Sequence, residues 1–253
     1  MIVALTRPTG GELAQCELTH VDRESINIAR ACAQHEAYLD TLRSLGVEVI
    51  EMERLPQHPD AVFVEDTALV LPDTAVVLRP GAESRRGECE SVARELANHR
   101  PVVELGAPAT LDGGDIIVFG KRILVGETSR SNRHGVDALR DLLSPIGYSV
   151  EAVPVNGVLH LKSAATVVDD ETLIYNRGQV DLGFLDAKLI AAHPDEPQGA
   201  NVVRVGDALL VDASAQRTVE LLSSCTDRMQ AVHVDEFAKA EGAISCKGII
   251  FDV

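Results

Sequence analysis

Cys246 stands in "GAISCKGIIF", a run of small residues that leads into the last apolar segment of the chain. A thiol so placed can serve as a nucleophile once it is ionised. His160 and Lys162 alternate in "GVLHLKSAATV", a spacing that puts both on one face of a predicted strand. "DAVFVEDTALV" brings Asp60, Glu65 and Asp66 around an apolar run, and "TLDGGDIIVFG" sets Asp112 and Asp115 on either side of a Gly-Gly step. Taken singly, these residues also read as turn or cap acids, a core histidine and a packed thiol. Together a Cys, a His and a carboxylate form a nucleophile, a base and an orienting acid. The remaining acids would raise the thiol pKa and suppress it, a conflict that a cationic substrate resolves. Carboxylates hold a delocalised cation by charge-assisted, bidentate hydrogen bonds, and the bound cation favours the thiolate. The substrate class indicated is a guanidinium or amidinium whose central carbon is attacked by sulfur.

These residues sit at the ends of short apolar segments that recur in pairs. "TALVL-PDT-AVVLR", "DIIVFG-KR-ILVGE", "AATVV-DDE-TLIYN" and "NVVRV-GD-ALLVDA" each read as a β-hairpin, with turns near Asp73, Lys121, Asp170 and Gly206. Between them lie helical stretches, "RRGECESVARELANH" and "SNRHGVDALRDLLSPIG", with "RTVELLSSC" a shorter candidate. The chain ends supply a further module: the strand "MIVALTR", the long helix "RESINIARACAQHEAYLDTLRSLG" and the final strand "ISCKGIIFDV". A period on the order of 40 to 50 residues points to a circular or solenoidal repeat. The expected architecture is a closed ring of about five strand–hairpin–helix modules, since pairing the N- and C-terminal strands removes exposed sheet edges. The competing expectation is an ordinary three-layer α/β domain.

The 253 residues, 45% of them hydrophobic, suffice for a sizeable core and read as one domain, 1–253. With 39 acidic against 23 basic residues and a net charge of −16, the chain lacks the basic face that nucleic-acid binding needs. No apolar run is long enough to span a bilayer, and the N-terminus does not read as a signal peptide. The five cysteines are odd in number and scattered, which argues against a disulfide framework and makes the cytoplasm the expected compartment. Cys32, Cys89 and Cys225 read as packing residues, while Cys16 falls in a loop. No HxH, HxxxH or HExxH spacing joins His134, His160, His193 or His233, so no metal is expected.

The motifs "FVED", "RPGAESRR", "LDGGDI", "SRSNRHG", "LHLKS" and "GAISC", in this order, resemble those of dimethylarginine dimethylaminohydrolase, within the guanidino-modifying (amidinotransferase) superfamily. The resemblance runs from the Arg7 region to Cys246. It implies a five-bladed α/β propeller of ββαβ units (pentein-type) and hydrolysis of Nω-methylated arginines to citrulline plus dimethylamine or methylamine, without a cofactor. Carried over motif by motif, it makes Cys246 the nucleophile, His160 the general acid/base and Asp112 the acid that orients it. Asp66 resembles the carboxylate that grips the guanidinium, with Asp60 and Glu65 as supporting acids. Arg85 and Arg130 match the pair that receives the substrate carboxylate. Leu18 falls in a lid loop, and Ala240 matches a position whose carbonyl receives the α-amine. The partner implied is a small cationic amino acid, and the protein is read as a monomer or homodimer. Lys247 departs from relatives with a second cysteine after the nucleophile, Asp112 from relatives with Glu there, and Ala240 from those with a larger aliphatic residue.

The nearest rival, arginine deiminase, usually carries a helical insertion that has no counterpart here. Amidinotransferases are longer, and agmatine deiminases act on a substrate without a carboxylate. A non-catalytic arginine-binding module would have no use for a nucleophile.

Overall fold

In the computed structural model, which describes Met1–Val253, five three-stranded sheets recur with one connectivity. In each sheet the first strand pairs antiparallel with the second, and the second pairs parallel with the third. The closing sheet uses β1 (Ile2–Thr6) and β2 (Glu48–Glu51), joined by α1 (Ile28–Ser44). Next comes β3 (Ala68–Leu71), β4 (Thr74–Val77), α2 (Cys89–Leu96) and β5 (Val102–Glu104). The following blade has β6 (Ile116–Phe119), β7 (Arg122–Glu127), α3 (Arg133–Leu143) and β8 (Ser149–Pro154). A short α4 (Leu161–Ala164) precedes β9 (Ala165–Val167), β10 (Thr172–Tyr175) and β11 (Lys188–Ala191). The fourth hairpin is β12 (Val203–Val205) with β13 (Ala208–Asp212), followed by α5 (Gln216–Leu222), β14 (Met229–Val232) and α6 (Asp235–Ala238). Finally β15 (Ile249–Asp252) pairs with β1, Leu5 opposite Ile249 and Ile2 opposite Asp252. The ends of the chain thus close one blade between them, and the ring is the expected five-bladed α/β propeller.

Apolar residues on both faces of these short strands leave each sheet unable to stand alone. Adjacent blades bury them against one another, giving five clusters. Leu69 and Val76 meet Ile123 and Val125 in one of them. Ile117 and Leu124 meet Ala165 and Leu173 in another, and Ile174 meets Leu209 in a third. The first strands of all five blades face the axis and line a cavity of about 310 Å³.

Four local readings are corrected by the structure. The long N-terminal helix begins at Ile28 rather than near Arg23, because Asn27 accepts a hydrogen bond from the Arg30 amide and caps it. The third blade crosses from β10 to β11 without an α-helix, using turns over 176–187. The final strand starts only at Ile249, and Ser245–Lys247 form a 3-10 turn before it. His160 and Lys162 do not alternate on a strand: His160 is the extended residue before α4, and Lys162 lies within that helical turn. No helix is long and apolar enough to cross a membrane.

Candidate active site

A short helical turn precedes the first strand of each blade. These turns cover Val64–Thr67, Gly113–Asp115, Leu161–Ala164, Pro197–Ala200 and Ser245–Lys247. Four of them, all but Pro197–Ala200, lie between two cavities of the molecule. Asp66, Asp112, His160 and Cys246 line a pocket on one side of them. Their chain neighbours Glu65, Gly113, Lys162 and Ser245 line the axial cavity on the other. A helical turn sends successive side chains in divergent directions, which is why His160 and Lys162 part company.

The pocket is organised around the His160 imidazole. Its Nε2 lies 3.0 Å from Asp112 Oδ2, and its Nδ1 lies 3.9 Å from Asp66 Oδ1. Asp112 Oδ1 accepts the Gly81 amide at 2.9 Å, and Asp66 Oδ1 accepts the Gly114 amide at 2.9 Å. A Cβ at Gly114 would stand 2.6 Å from His160 Nδ1, and one at Gly113 would stand 2.0 Å from the Glu65 carbonyl oxygen. The Gly-Gly step is therefore what lets the Asp66 and His160 turns approach. Asp115, also buried, accepts the Leu161 amide at 3.0 Å and the Thr128 and Ser131 hydroxyls at 2.6 Å each. It fixes the turn that carries His160.

Burial alone would discharge His160, but the Asp66, Asp112 and Asp115 carboxylates overcome it and push its pKa up to about 9. Asp66 feels the reverse: burial raises it, yet His160 and Arg85 hold its pKa down near about 2. Cys246 is half-buried, and its sulfur accepts the Ala243 amide at 3.3 Å. Burial, with Glu65 and Asp66 nearby, pushes its thiol up to about 12. Below pH 9 the pocket thus rests as a protonated imidazole beside a neutral thiol. Asp66, Asp112 and His160 also offer ligand atoms within 4.8 Å of one another. Both carboxylates are already spent on amides, and Asp66 on a guanidinium as well, so this donor set suits hydrogen bonding to a cation better than metal ligation.

The other expected residues fall into two groups. Asp60 and Ala240 line the pocket, and Asp60 Oδ2 accepts the Glu17 amide at 3.1 Å. Burial raises Asp60 to about 6. Arg130 also lines it and donates to Glu17 Oε2 at 3.4 Å and Thr19 Oγ1 at 3.1 Å. Glu65, by contrast, faces the axial cavity, where it binds Lys162 Nζ at 2.6 Å and the Ser245 hydroxyl at 2.7 Å. Arg85 lines the pocket but is buried, with Nη1 2.6 Å from Asp66 Oδ2 and Nη2 2.9 Å from Glu88 Oε2. Its Nη2 also donates to the carbonyls of Asp60 and Phe63. Leu18 is half-buried and packs against the cluster built on α1; its neighbour Glu17, not Leu18, lines the pocket.

Sequence reasoning missed three contributors. Glu88, three residues after Arg85 in "SRRGE", completes the ion cluster beneath Asp66, a spacing that offered the signal. Glu17 and Glu241 were unmarked. Glu241 has φ +58°, a left-handed conformation that costs a side-chain-bearing residue energy, and its carboxylate accepts the Thr19 and His20 amides at 2.7 and 2.5 Å. The loop that carries Leu18 is thereby tied to Glu241, and the free volume of the pocket is about 20 Å³, room for a water or so.

The chain is similar to known proteins along most of its length. The family described as "N,N dimethylarginine dimethylhydrolase, eukaryotic" matches residues 15–173. The chain is 40% identical to an N(G),N(G)-dimethylarginine dimethylaminohydrolase of Streptomyces coelicolor, over 97% of this chain and 95% of that one. It is 32% identical to the enzyme so named from Pseudomonas aeruginosa, over 88% and 89% of the two chains. A solved structure of the Pseudomonas aeruginosa protein, a serine variant complexed with citrulline, superposes with a TM-score of 0.93 at 29% identity, covering 98% of each chain.

Proposed function

The chain belongs to the dimethylarginine dimethylaminohydrolase family and is a hydrolase acting on C–N bonds of linear amidines; from that premise we propose that it converts asymmetric dimethylarginine and monomethylarginine to citrulline through a covalent intermediate on Cys246. The observation that carries this reading is the His160 imidazole held between Asp112 and Asp66 on the wall that also bears Cys246. The citrulline complex of the Pseudomonas relative supports the product.

The substrate guanidinium enters between Asp66 and Cys246. Its charge offsets the carboxylates that keep the thiol protonated, so the thiol gives up its proton to solvent as the substrate binds. The Cys246 thiolate adds to the guanidinium carbon, and His160, charged at neutral pH, gives its proton to the departing dimethylamine as the C–N bond breaks. The neutral imidazole then takes a proton from water as its oxygen attacks the thiouronium carbon. Collapse releases citrulline and returns the thiol. Asp112 holds the imidazole in register throughout. Arg130, at the rim, exchanges Glu17 for the substrate carboxylate, and the Ala240 carbonyl accepts from the α-amine. Arg85 is committed to Asp66 and Glu88, and its part is to anchor Asp66 as an anion. The lid bearing Leu18 must lift to admit an arginine-sized ligand.

The test is citrulline release from asymmetric dimethylarginine, monomethylarginine and arginine, measured side by side with Cys246→Ser as control. Methylated substrates should turn over and the serine protein should be inactive. Arginine turning over fastest would assign a deiminase instead, and an active serine variant would end the covalent scheme.

A further inference from the structure

Arg85, Arg130 and His160 are the basic residues that line the pocket. Arg85 and His160 take their partners from the body of the propeller. Arg130 takes both of its side-chain partners from one loop, Glu17 Oε2 at 3.4 Å and Thr19 Oγ1 at 3.1 Å. The other Glu17 oxygen, Oε1, accepts the Ser84 hydroxyl, and the Glu17 main-chain amide is pinned to Asp60 Oδ2. Ser84 and Arg130 follow the second strands of neighbouring blades, β4 and β7. Gly81 lets the two segments meet, for a Cβ there would stand 2.4 Å from the Arg130 carbonyl oxygen. The Glu17 carboxylate is thus gripped at both oxygens by donors at the rim. Its loop must move before an arginine-sized ligand can enter a free volume of about 20 Å³. Once the loop lifts, Arg130, whose side chain is only 11% exposed, loses both partners together and needs another anion.

We propose that the Glu17 carboxylate is an internal ligand: in the free protein it fills the subsite of the substrate's α-carboxylate, whose two walls are Arg130 and the Ser84 hydroxyl. This rests on the substrate being an arginine-type amino acid received by Arg130. It gives Ser84 a binding role and makes Glu17 the residue that sets affinity. Arg85 is no second wall, because Glu88, Asp66 and the carbonyls of Asp60 and Phe63 hold its Nε, Nη1 and Nη2. A ligand with a carboxylate takes over the donors that Glu17 gives up, whereas a ligand without one gains nothing in exchange. The closed form therefore competes with every ligand, and the apparent affinity is reduced by the fraction of molecules in which Glu17 has let go.

Citrulline binding, followed by titration calorimetry, reads the subsite without chemistry and is independent of the role of Cys246. The Glu17 side chain is 43% exposed, so Glu17→Ala should fold. Citrulline should bind this variant more tightly by about three- to tenfold, the weight of a charge-assisted contact at a partly exposed site. KM for asymmetric dimethylarginine should fall by the same factor, with kcat moving less. Ser84→Ala alone removes a donor from occupant and ligand alike, so citrulline affinity should change by less than about twofold. In the Glu17→Ala background the same change should weaken citrulline by about three- to tenfold. Inhibition by methylguanidine, which has no carboxylate, should not respond to Ser84→Ala in either background. Citrulline binding that is unchanged in Glu17→Ala overturns the proposal, and weaker binding does so by making Glu17 a ligand of the α-ammonium. A gain that Ser84→Ala leaves untouched also overturns it, since Glu17 would then be a latch on the loop and no occupant of the subsite. Failure of the functional reading looks different: neither citrulline nor asymmetric dimethylarginine would bind the wild-type protein, and both readings would fall.

Discussion

Asp66→Asn removes one negative charge from the centre of the pocket while conserving shape. The asparagine oxygen can still accept the Gly114 amide, but its amide nitrogen would face Arg85 Nη1 across 2.6 Å, donor against donor. Arg85 keeps Glu88, so the guanidinium is not stranded. The cost should lie at the low end for a broken buried ion pair, about 3 kcal/mol. An independent route gives a similar figure: Asp66 titrates near about 2 in the fold against 3.8 when free, a shift worth roughly 2 to 3 kcal/mol. For a chain of this size the melting temperature should drop by roughly 6 to 12 °C. The sign with pH is fixed by the direction of each shift. Asp66 is depressed in the fold, so its contribution is present above pH 4 and is lost as pH falls through about 2; the gap between wild type and variant should close over that window. His160 is raised to about 9, so its contribution is complete below about 6.5 and fades as pH climbs through 9. Without Asp66, the leading carboxylate that raises it, the imidazole should titrate lower. Thermal unfolding from pH 2 to 9 and NMR titration of the His160 ring measure both effects. A variant within 1 kcal/mol of wild type at pH 7, with His160 still titrating near 9, would refute the electrostatic account.

Gly114→Ala should fold but lose activity, since its methyl intrudes on His160 and Asp66; about 1 to 3 kcal/mol of strain is expected, with kcat falling more than KM rises. In Glu241→Gln the lid loses its charged acceptor, and limited proteolysis between residues 17 and 24 should accelerate several-fold while the melting temperature moves little. Glu88→Gln leaves Arg85 with one carboxylate instead of two, so stability should drop by about 1 to 3 kcal/mol and Asp66 should titrate at a different pH, both readable by denaturant unfolding across the acid range.

Much of the fold was legible from four apolar pairs, each broken by a polar turn at Asp73, Lys121, Asp170 or Gly206, because hairpins depend on neighbours in sequence. Reading the chain ends as one module likewise agreed with the β15–β1 pairing. The boundaries were less legible. Nothing local in "LHLKS" reveals that His160 precedes a helical turn, since Asp115, forty-six positions away, caps that turn by accepting the Leu161 amide.

The sequence by itself determined the inventory: a thiol, an imidazole, an excess of acids and repeats of the right period to bring them to one axis. Which side of the axis each residue serves was decided only by the closed ring. Glu65 and Asp66 are adjacent in the chain, yet one holds Lys162 in the axial cavity and the other lies beside His160 in the pocket. Arg85 looked like a ligand for a carboxylate from outside, and packing gave it Asp66 and Glu88 from within. The physical reason is that charge, hydrogen bonding and burial act through space over a few ångströms, and residues distant in the chain reach that range only when the last blade is shut.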